Sequence, residues 1–292
     1  MAVSAVRSLH GGESPWWIDL TAPGGSAFSA VLRCPSSRIG PEMIATNAAA
    51  LAVAEEHGLP APRLLAADPD GRTAETPVSL ETVVPGTSAW PAAPDTGLLL
   101  AAGAAIARVH AVTPGPRPQL RSGPAPSRST TSPGIGERRA PTTALLHLAD
   151  ERVRAAKGPG GPVVLVHGDV WPGNTVVAGG RIRGLIDWKT AGVGNPGVDL
   201  GELRKQVAIS YDDDAPGLVL EGWERAVARG RRRPLLGRRS GSQHAGPVLQ
   251  PVRHTPARPL PEGRDRAVVT TRGAVMRWGG RRRGAGPSRG RS

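Results

Sequence analysis

Two short segments contain residues whose types and spacing could carry out phosphoryl transfer. Residues 166–174 have the pattern V-H-G-D-x-x-x-x-N, and residues 184–188 form an apolar run that ends in I-D-W. Phosphoryl transfer requires mainly that an acceptor hydroxyl is aimed at the phosphate and that metal neutralises the triphosphate charge. Asp169 could accept the hydroxyl proton. Asn174 and Asp187 offer the oxygen ligands that Mg²⁺ prefers.

The sequence around these residues predicts a strand followed by a β-hairpin. Residues 162–166 are an apolar run after a glycine-rich stretch, as expected of a buried strand. Residues 175–186 contain two apolar runs separated by Gly179-Gly180, which is a hairpin signal. The hairpin would carry Asn174 at one end and Asp187 at the other, so both could converge on one metal ion.

Together, these motifs resemble those of the aminoglycoside phosphotransferase and choline kinase-like family. The resemblance implies that Asp169 is the catalytic base and that Asn174 and Asp187 bind magnesium. It also implies that Asp199, in a later D-L-G motif, braces the catalytic loop together with His167. Four matching elements in the same order make the resemblance specific.

Two simpler interpretations of the first motif were considered. His167 and Asp169 could be zinc ligands, or His167 could be a core histidine capped by a carboxylate. No second His/Cys pair lies nearby and Cys34 is the only cysteine, which disfavours zinc. Neither interpretation explains the whole set of motifs.

The N-terminal part of the chain fits a small nucleotide-binding lobe. Residues 16–20 and 26–33 flank a Pro-Gly-Gly turn and predict a hairpin. Gly11 and Gly12 lie where the family's phosphate-covering loop is expected, and glycine lets backbone amides approach a phosphate. An ordinary turn is the alternative. Arg33 takes the place of the strand lysine that contacts nucleotide phosphates in kinases, or it is simply solvated.

A helix is predicted from Pro41 to just before Gly58. The family often carries a glutamate on this helix that pairs with the strand lysine. Asn47 occupies that position here, so we expect the ion pair to Arg33 to be absent or moved.

Two strands and a helix are predicted next. The strands cover residues 62–67 and 78–86, and the second resembles the family's hinge, where the backbone of Glu81 and Val83 would hold adenine. Residues 96–112 show a helical apolar face.

The charge of the chain is concentrated at its C-terminal end. The chain has 37 basic and 24 acidic residues, a net charge of +13. Residues 230–292 contain 16 arginines and two acidic residues, which leaves 21 basic and 22 acidic residues in residues 1–229. The tail lacks sustained apolar periodicity, so we expect it to be disordered.

Three interpretations of the tail remain open: a nucleic-acid-binding arm, a disordered appendage and a frameshifted translation of GC-rich DNA. We favour the frameshift. Codons that encode residues 235–247 can, in a shifted frame, give the Tyr-Trp-Asp and Asn-Thr-Pro motifs of the family's acceptor-binding helices. Residues 113–140 contain six prolines. This segment is either also a product of the frameshift or a flexible insertion between helices. A helix is predicted at 142–157.

The sequence therefore predicts an α/β, or α+β, bilobal protein-kinase-like fold. Residues 1–84 form a β-rich, nucleotide-binding N-lobe with one helix, residues 85–229 form a mostly helical catalytic C-lobe, and residues 230–292 form the tail. The predicted activity is ATP- and Mg²⁺-dependent transfer of a phosphoryl group to a hydroxyl of a small molecule. The alternatives are a catalytically impaired nucleotide-binding remnant and a basic-tailed nucleic-acid-binding protein.

The remaining bounds concern location and partners. No segment resembles an export signal or a membrane span, and one cysteine suits a reducing cytoplasm. We therefore expect a cytoplasmic protein whose partner is a small-molecule acceptor, with nucleic acid contacted only through the tail. The acceptor and the oligomeric state are not indicated.

Overall fold

The structure is a computed structural model that describes residues 1–121, 143–155, 161–211, 213–231, 267–271 and 274–278. Most of the predicted insertion at 113–140 and most of the tail lie outside these ranges. The predictions made for those two segments therefore stay predictions.

The N-terminal lobe is built on a five-stranded antiparallel sheet with the strand order β1-β2-β3-β5-β4. The strands are β1 (Ala2–His10), β2 (Glu13–Thr21), β3 (Ala27–Arg33), β4 (Leu64–Asp68) and β5 (Val78–Thr82). Gly11 and Gly12 join β1 to β2 with φ angles of 61° and 89°. This tight turn needs residues that accept a positive φ, which is why glycine occupies both positions.

One helix, α1 (Pro41–Glu56), crosses between β3 and β4. Its buried residues Leu51 and Val53 pack in the same cluster as Leu185 and Trp188 of the C-terminal lobe. The helix therefore belongs to the N-lobe by sequence but contributes to the core that joins the two lobes.

The C-terminal lobe contains four helices and two small two-stranded sheets among the described residues. The helices are α2 (Thr96–His110), α3 (Ala144–Ala155), α4 (Gly197–Ser210) and α5 (Ala215–Arg231). The strands are β6 (Val164–Val166), β7 (Thr175–Ala178), β8 (Arg181–Leu185) and β9 (Gly192–Gly194), with β6 paired to β9 and β7 to β8. The predicted α+β fold with a β-rich N-lobe and a helical C-lobe is confirmed, and β7–β8 is the predicted catalytic hairpin.

Some boundaries differ from the predicted ones. Helix α2 ends at His110 rather than at residue 112, and the described part of α3 lies inside the predicted helix 142–157. The last strand of the N-lobe was predicted to cover residues 78–86, but β5 ends at Thr82. Within the tail, β10 (Ala267–Thr271) and β11 (Ala274–Trp278) form an antiparallel pair. In the described residues, no helix combines the length and apolar character needed to cross a membrane.

Helices α2 and α5 approach each other through glycines. A Cβ atom added to Gly103 of α2 would lie 2.0 Å from the backbone oxygen of Val219. A Cβ added to Gly222 of α5 would lie 2.1 Å from the backbone oxygen of Leu100. Backbone rather than side chain therefore fills this contact, and the space leaves no room for a methyl group.

We predict opposite effects for two Gly→Ala substitutions in helices. Gly103→Ala should lower the free energy of unfolding by about 1–3 kcal/mol, because the new methyl group overpacks the α2–α5 contact. Gly201→Ala in α4 should raise it by about 0.5–1 kcal/mol, because alanine favours helix and no atom lies within 4 Å of its Cβ. Urea unfolding of both variants checks this, and equal effects in the two would contradict the close approach.

Candidate active site

The predicted catalytic loop follows strand β6 and lies at the junction of the two lobes. The side-chain amide of Asn174 donates hydrogen bonds to the backbone oxygen of Asp169 at 2.8 Å and to its Oδ2 at 3.0 Å. The side chain of Asp169 is 36% exposed. Asn174 thus holds Asp169 with its carboxylate at the surface of the cleft, where a general base must be accessible to a substrate.

Asp187 lies two residues after the end of strand β8 and has an uncommon backbone conformation. Its φ of 68° and ψ of 59° lie in the left-handed region, which is rare for residues other than glycine and is often found at functional sites. Its carboxylate accepts a hydrogen bond from Arg33 Nη1 at 2.8 Å and another from Lys189 Nζ. Burial would raise the pKa of Asp187, but the positive charges of Arg33 and Lys189 lower it.

Asp199 lies fully buried at the first turn of α4, behind the catalytic loop. It accepts hydrogen bonds from the backbone amides of His167 at 2.9 Å and Gly168 at 2.8 Å, and one from His110 Nε2 at 3.0 Å. Burial would raise the pKa of Asp199, yet the His110 hydrogen bond and the neighbouring histidines and amide lower it. The ionised carboxylate is therefore bound to the two backbone amides at the start of the loop.

A histidine that the sequence analysis did not single out sets the orientation of Asp199. The indole Nε1–H of Trp223 donates to His110 Nδ1 at 3.0 Å. Because Nδ1 accepts this bond, the ring hydrogen on Nε2 is the one donated to Asp199. Helices α2, α4 and α5 thus meet in one chain of hydrogen bonds that ends at the catalytic loop.

His167 is also buried and holds the loop from the other side. Its Nε2 donates to the backbone oxygen of Ile186 at 3.0 Å, and its ring centroid lies 4.5 Å from that of Trp188. Burial lowers the pKa of His167, so the neutral ring ties the H-G-D segment to the I-D-W segment. In the part of the chain that the structure describes, no group of three or more His, Cys, Asp and Glu side chains is arranged to hold a metal. The zinc alternative therefore gains no support.

The expected ion pair of Arg33 has moved from the helix to a strand. Arg33 Nε and Nη2 donate to Glu81 Oε1 at 3.1 and 3.0 Å. The other carboxylate oxygen of Glu81 accepts a hydrogen bond from Asn47 Nδ2 at 2.8 Å. Arg33 is only 4% exposed, and the charges of Glu81 and Asp187 raise its pKa despite burial. The alternative of a solvated Arg33 is therefore wrong.

A cleft of about 790 Å³ lies between the lobes, and most of the predicted site residues line it. From the predicted set it includes Asp169, Asn174, Asp187, Arg33, Glu81 and Val83. His167 and Asp199 support the loop from behind without lining the cleft. Gly11 and Gly12 also do not line it, although His10 and Ser14 on either side of their turn do.

Lys189 is a cleft residue that the sequence analysis missed. Its Nζ contacts Asp187 and lies 3.9 Å from Asp169 Oδ2, so one cation faces both the predicted metal ligand and the predicted base. Its position two residues after the I-D-W aspartate was the available signal. Arg7 and Arg38 add further positive charge at the mouth of the cleft.

The donor set of the cleft fits a magnesium–nucleotide complex. The Asp187 carboxylate and the Asn174 amide oxygen are hard oxygen donors, which Mg²⁺ accepts together with phosphate oxygens. The amide nitrogen of Asn174 is already bound to Asp169, which leaves Oδ1 as its ligand atom. The surrounding arginines and Lys189 supply the positive charge that a triphosphate requires.

This combination of a five-stranded sheet, one connecting helix and a catalytic hairpin in a helical lobe defines a kinase-like phosphotransferase. The sequence model described as the phosphotransferase enzyme family matches residues 5–236. The chain therefore belongs to that family. None of the curated proteins searched matches the chain.

Solved structures with the same fold include two phosphotransferases and one kinase. Macrolide 2′-phosphotransferase MphH from Brachybacterium faecium is 21% identical, with a TM-score of 0.52 over 77% of this chain and 80% of that one. An aminoglycoside-3′-phosphotransferase of type VIII is 18% identical, with a TM-score of 0.54 over 77% and 86%. The amicoumacin kinase hAmiN is 18% identical, with a TM-score of 0.54 over 77% and 72%. At these identities the similarity establishes the fold.

We predict that Asp199→Asn destabilises the protein in a pH-dependent way. At neutral pH the variant should lose about 3 kcal/mol, because an amide cannot accept hydrogen bonds from all three donors around this position. The folded pKa of Asp199 lies below its ordinary value of 3.8. The contribution of its charge is therefore fully present above pH 3.8 and is lost as the pH falls through the folded pKa.

Urea unfolding of wild type and Asp199→Asn as a function of pH checks this prediction. The difference between the two proteins should narrow as the solution becomes acidic. Asp70→Asn is the matched control, because Asp70 forms only an exposed ion pair with Arg72 and should change stability by less than about 0.5 kcal/mol. A constant difference at all pH values would mean that Asp199 acts through packing rather than charge.

Proposed function

We propose that this chain transfers the γ-phosphoryl group of ATP to a hydroxyl group of a small molecule. The observation that carries the proposal is the arrangement of Asp169, held by Asn174, in the same cleft as Asp187 and Arg33. Asp169 can act on the acceptor hydroxyl, Asp187 on a metal–phosphate complex and Arg33 on the phosphates. Membership of the phosphotransferase enzyme family supports the same reaction class.

Asp169 would act as the general base. Its carboxylate accepts the proton of the acceptor hydroxyl while the hydroxyl oxygen forms a bond to the γ-phosphorus and the bond to the ADP oxygen breaks. The amide of Asn174 restrains the carboxylate, which favours one orientation of the accepting oxygen. Mg²⁺ held by Asp187 and Asn174 would neutralise phosphate charge and orient the triphosphate.

The nucleotide would bind between β5 and the catalytic hairpin. Arg33 presents its Nη1 to the region of Asp187, where the phosphates would lie, and the backbone of Glu81 and Val83 would contact adenine. Gly11 and Gly12 would cover the phosphates from the β1–β2 turn. The structure of the amicoumacin kinase hAmiN was determined with AMP-PNP and Ca²⁺, which supports a nucleotide and a divalent cation in this fold.

The acceptor is proposed only as a class, a hydroxyl-bearing small molecule such as an aminoglycoside or another small alcohol. The names of the similar structures include macrolide and aminoglycoside phosphotransferases. The half-exposed Trp171 lies two residues from Asp169 on the cleft wall and offers an apolar face to an acceptor. We retain the proposal of a cytoplasmic location, because the reaction uses ATP and the single cysteine needs no oxidising compartment.

The alternative of an impaired remnant was based on Asn47 and on the missing acceptor-binding helices, which the family would place in the tail, mostly outside the described residues. Glu81 supplies the carboxylate that Asn47 does not, so the residue difference is compensated within the same buried group. The alternative of nucleic-acid binding rests on tail residues that lie mostly outside the described ranges, and no contact in the described residues supports it.

We predict that Mg²⁺·ATP stabilises the wild-type protein against heat. At about 100 times Kd the stabilisation should be about 2.7 kcal/mol, or about 5–10 °C for a domain of this size. Asp187→Ala should abolish most of this shift, because the metal loses its carboxylate ligand. Asp70→Ala, which changes an exposed carboxylate, should keep the full shift. Equal shifts in Asp187→Ala and the wild type would contradict the metal site.

We predict that Asp169→Asn lowers the transfer rate without weakening nucleotide binding. Loss of a general base should reduce the rate by about 10²–10⁴-fold. Transfer of the labelled γ-phosphoryl group to a panel of aminoglycosides, macrolides and simpler alcohols measures the rate. The thermal shift with Mg²⁺·ATP is the control for binding. Undiminished transfer by Asp169→Asn would exclude it as the base.

A further inference from the structure

The guanidinium of Arg33 is fixed on one edge by a buried pair of side chains. Glu81 is 2% exposed and Asn47 is fully buried. Glu81 Oε1 accepts both Nε and Nη2 of Arg33, and Glu81 Oε2 accepts the amide of Asn47. The opposite edge of the guanidinium, Nη1, reaches Asp187 Oδ1 at 2.8 Å.

The sheet register explains why Glu81 can reach Arg33. Strands β3 and β5 are antiparallel neighbours in which Val31 pairs with Glu81 and Arg33 pairs with Ser79. Residues two apart on one strand share a face, so Arg33 and Glu81 are diagonal neighbours on the same face of the sheet. The Glu81 carboxylate therefore approaches Arg33 from within the sheet. The amide of Asn47 reaches the Glu81 carboxylate from helix α1.

The identity of residue 47 follows from the charge of this group. Arg33 carries one positive charge and already faces the carboxylates of Glu81 and Asp187. Lys189 supplies a second positive charge beside Asp187, so the two cations already balance the two carboxylates. A third carboxylate at position 47 would be buried beside Glu81 without a cation of its own, which is strongly unfavourable. The neutral amide of Asn47 instead donates a hydrogen bond to Glu81. Among the described residues, the Oδ1 atom of Asn47 has no hydrogen-bond partner, and the side-chain amide of Asn47 donates to Glu81.

We propose that Glu81 and Asn47 are positioning residues that hold Arg33 for binding the nucleotide phosphates. Glu81 fixes the Nε–Nη2 edge, and Asn47 fixes the carboxylate of Glu81. Nη1 is thereby directed into the cleft, toward Asp187 and the triphosphate. This role is carried by the side chain of Glu81 and is separate from the adenine contact of its backbone. The inference rests on the proposed ATP-dependent function.

The test compares the affinity of the full chain for Mg²⁺·ATP and for adenosine, which lacks phosphates. In Glu81→Gln, the Kd for Mg²⁺·ATP should rise by about tenfold or more, because the charge-assisted bonds that orient Arg33 are weakened. The Kd for adenosine should stay unchanged. A general structural defect would weaken both ligands. Glu55→Gln is the matched control, since Glu55 makes only an exposed ion pair with Arg63, and it should bind both ligands as the wild type does.

A double variant exchanges the amide and the carboxylate between the two positions. Asn47→Glu combined with Glu81→Gln keeps the net charge and one amide–carboxylate hydrogen bond, and it moves the carboxylate to α1. We expect this variant to recover most of the Mg²⁺·ATP affinity lost in Glu81→Gln. The double variant also tests the inference if Glu81→Gln alone does not fold, because the exchanged pair still neutralises Arg33. Adenosine binding without recovery of Mg²⁺·ATP affinity would overturn the inference.

The outcomes separate this inference from the proposed function. Unchanged Mg²⁺·ATP affinity in Glu81→Gln, or equal losses for Mg²⁺·ATP and adenosine, overturns the positioning role while ATP binding by the wild type leaves the proposed function intact. Absence of Mg²⁺·ATP binding by the folded wild type overturns both.

Discussion

The arrangement of the catalytic loop depends on one buried carboxylate, that of Asp199. A carboxylate without contact to water is unfavourable unless hydrogen bonds replace its hydration. Two backbone amides at the start of the loop and the imidazole of His110 supply those bonds. The requirement to satisfy the charge therefore draws the loop, the end of α2 and the beginning of α4 to one point. These hydrogen bonds also position Asp169, because it directly follows the two residues whose backbone amides bind Asp199.

A second set of charges connects the lobes. Asp187 belongs to the C-lobe, Arg33 and Glu81 belong to the N-lobe sheet, and Asn47 belongs to α1. The set forms a continuous line of hydrogen bonds from the cleft to the helix. Lys189 adds a further positive charge beside Asp187. In this arrangement the aspartate that is proposed to bind metal is already neutralised by cations of the protein itself, so a metal ion would enter in exchange for existing contacts.

The sequence predicted the local features of the fold, and it did not predict the pairings between residues that lie far apart in the chain. The H-G-D and I-D-W segments are separated in the chain by a single predicted hairpin. Their spacing alone therefore indicated that Asn174 and Asp187 reach one cleft. The partner of Arg33 could not be found in this way, since Glu81 lies 48 positions away in the chain and its pairing depends on strand order. His110 and Asp199 are separated by 89 positions, and His110 lies within the predicted helix 96–112 without any sequence signal that points to Asp199. Gly11 and Gly12 form a turn, which was their alternative interpretation, and neither residue lines the cleft, so their contact with phosphate stays a prediction.

The backbone contact between α2 and α5 supports the catalytic loop from a distance. Where two helices touch through glycines, their separation does not depend on side-chain rotamers, and α5 is held at a fixed distance from α2. Trp223 uses that fixed position to orient His110 and, through it, Asp199. The support of the catalytic loop therefore passes through a contact between two helices whose touching residues do not line the cleft. A substitution that pushes these helices apart can disturb the loop without changing any residue of the cleft.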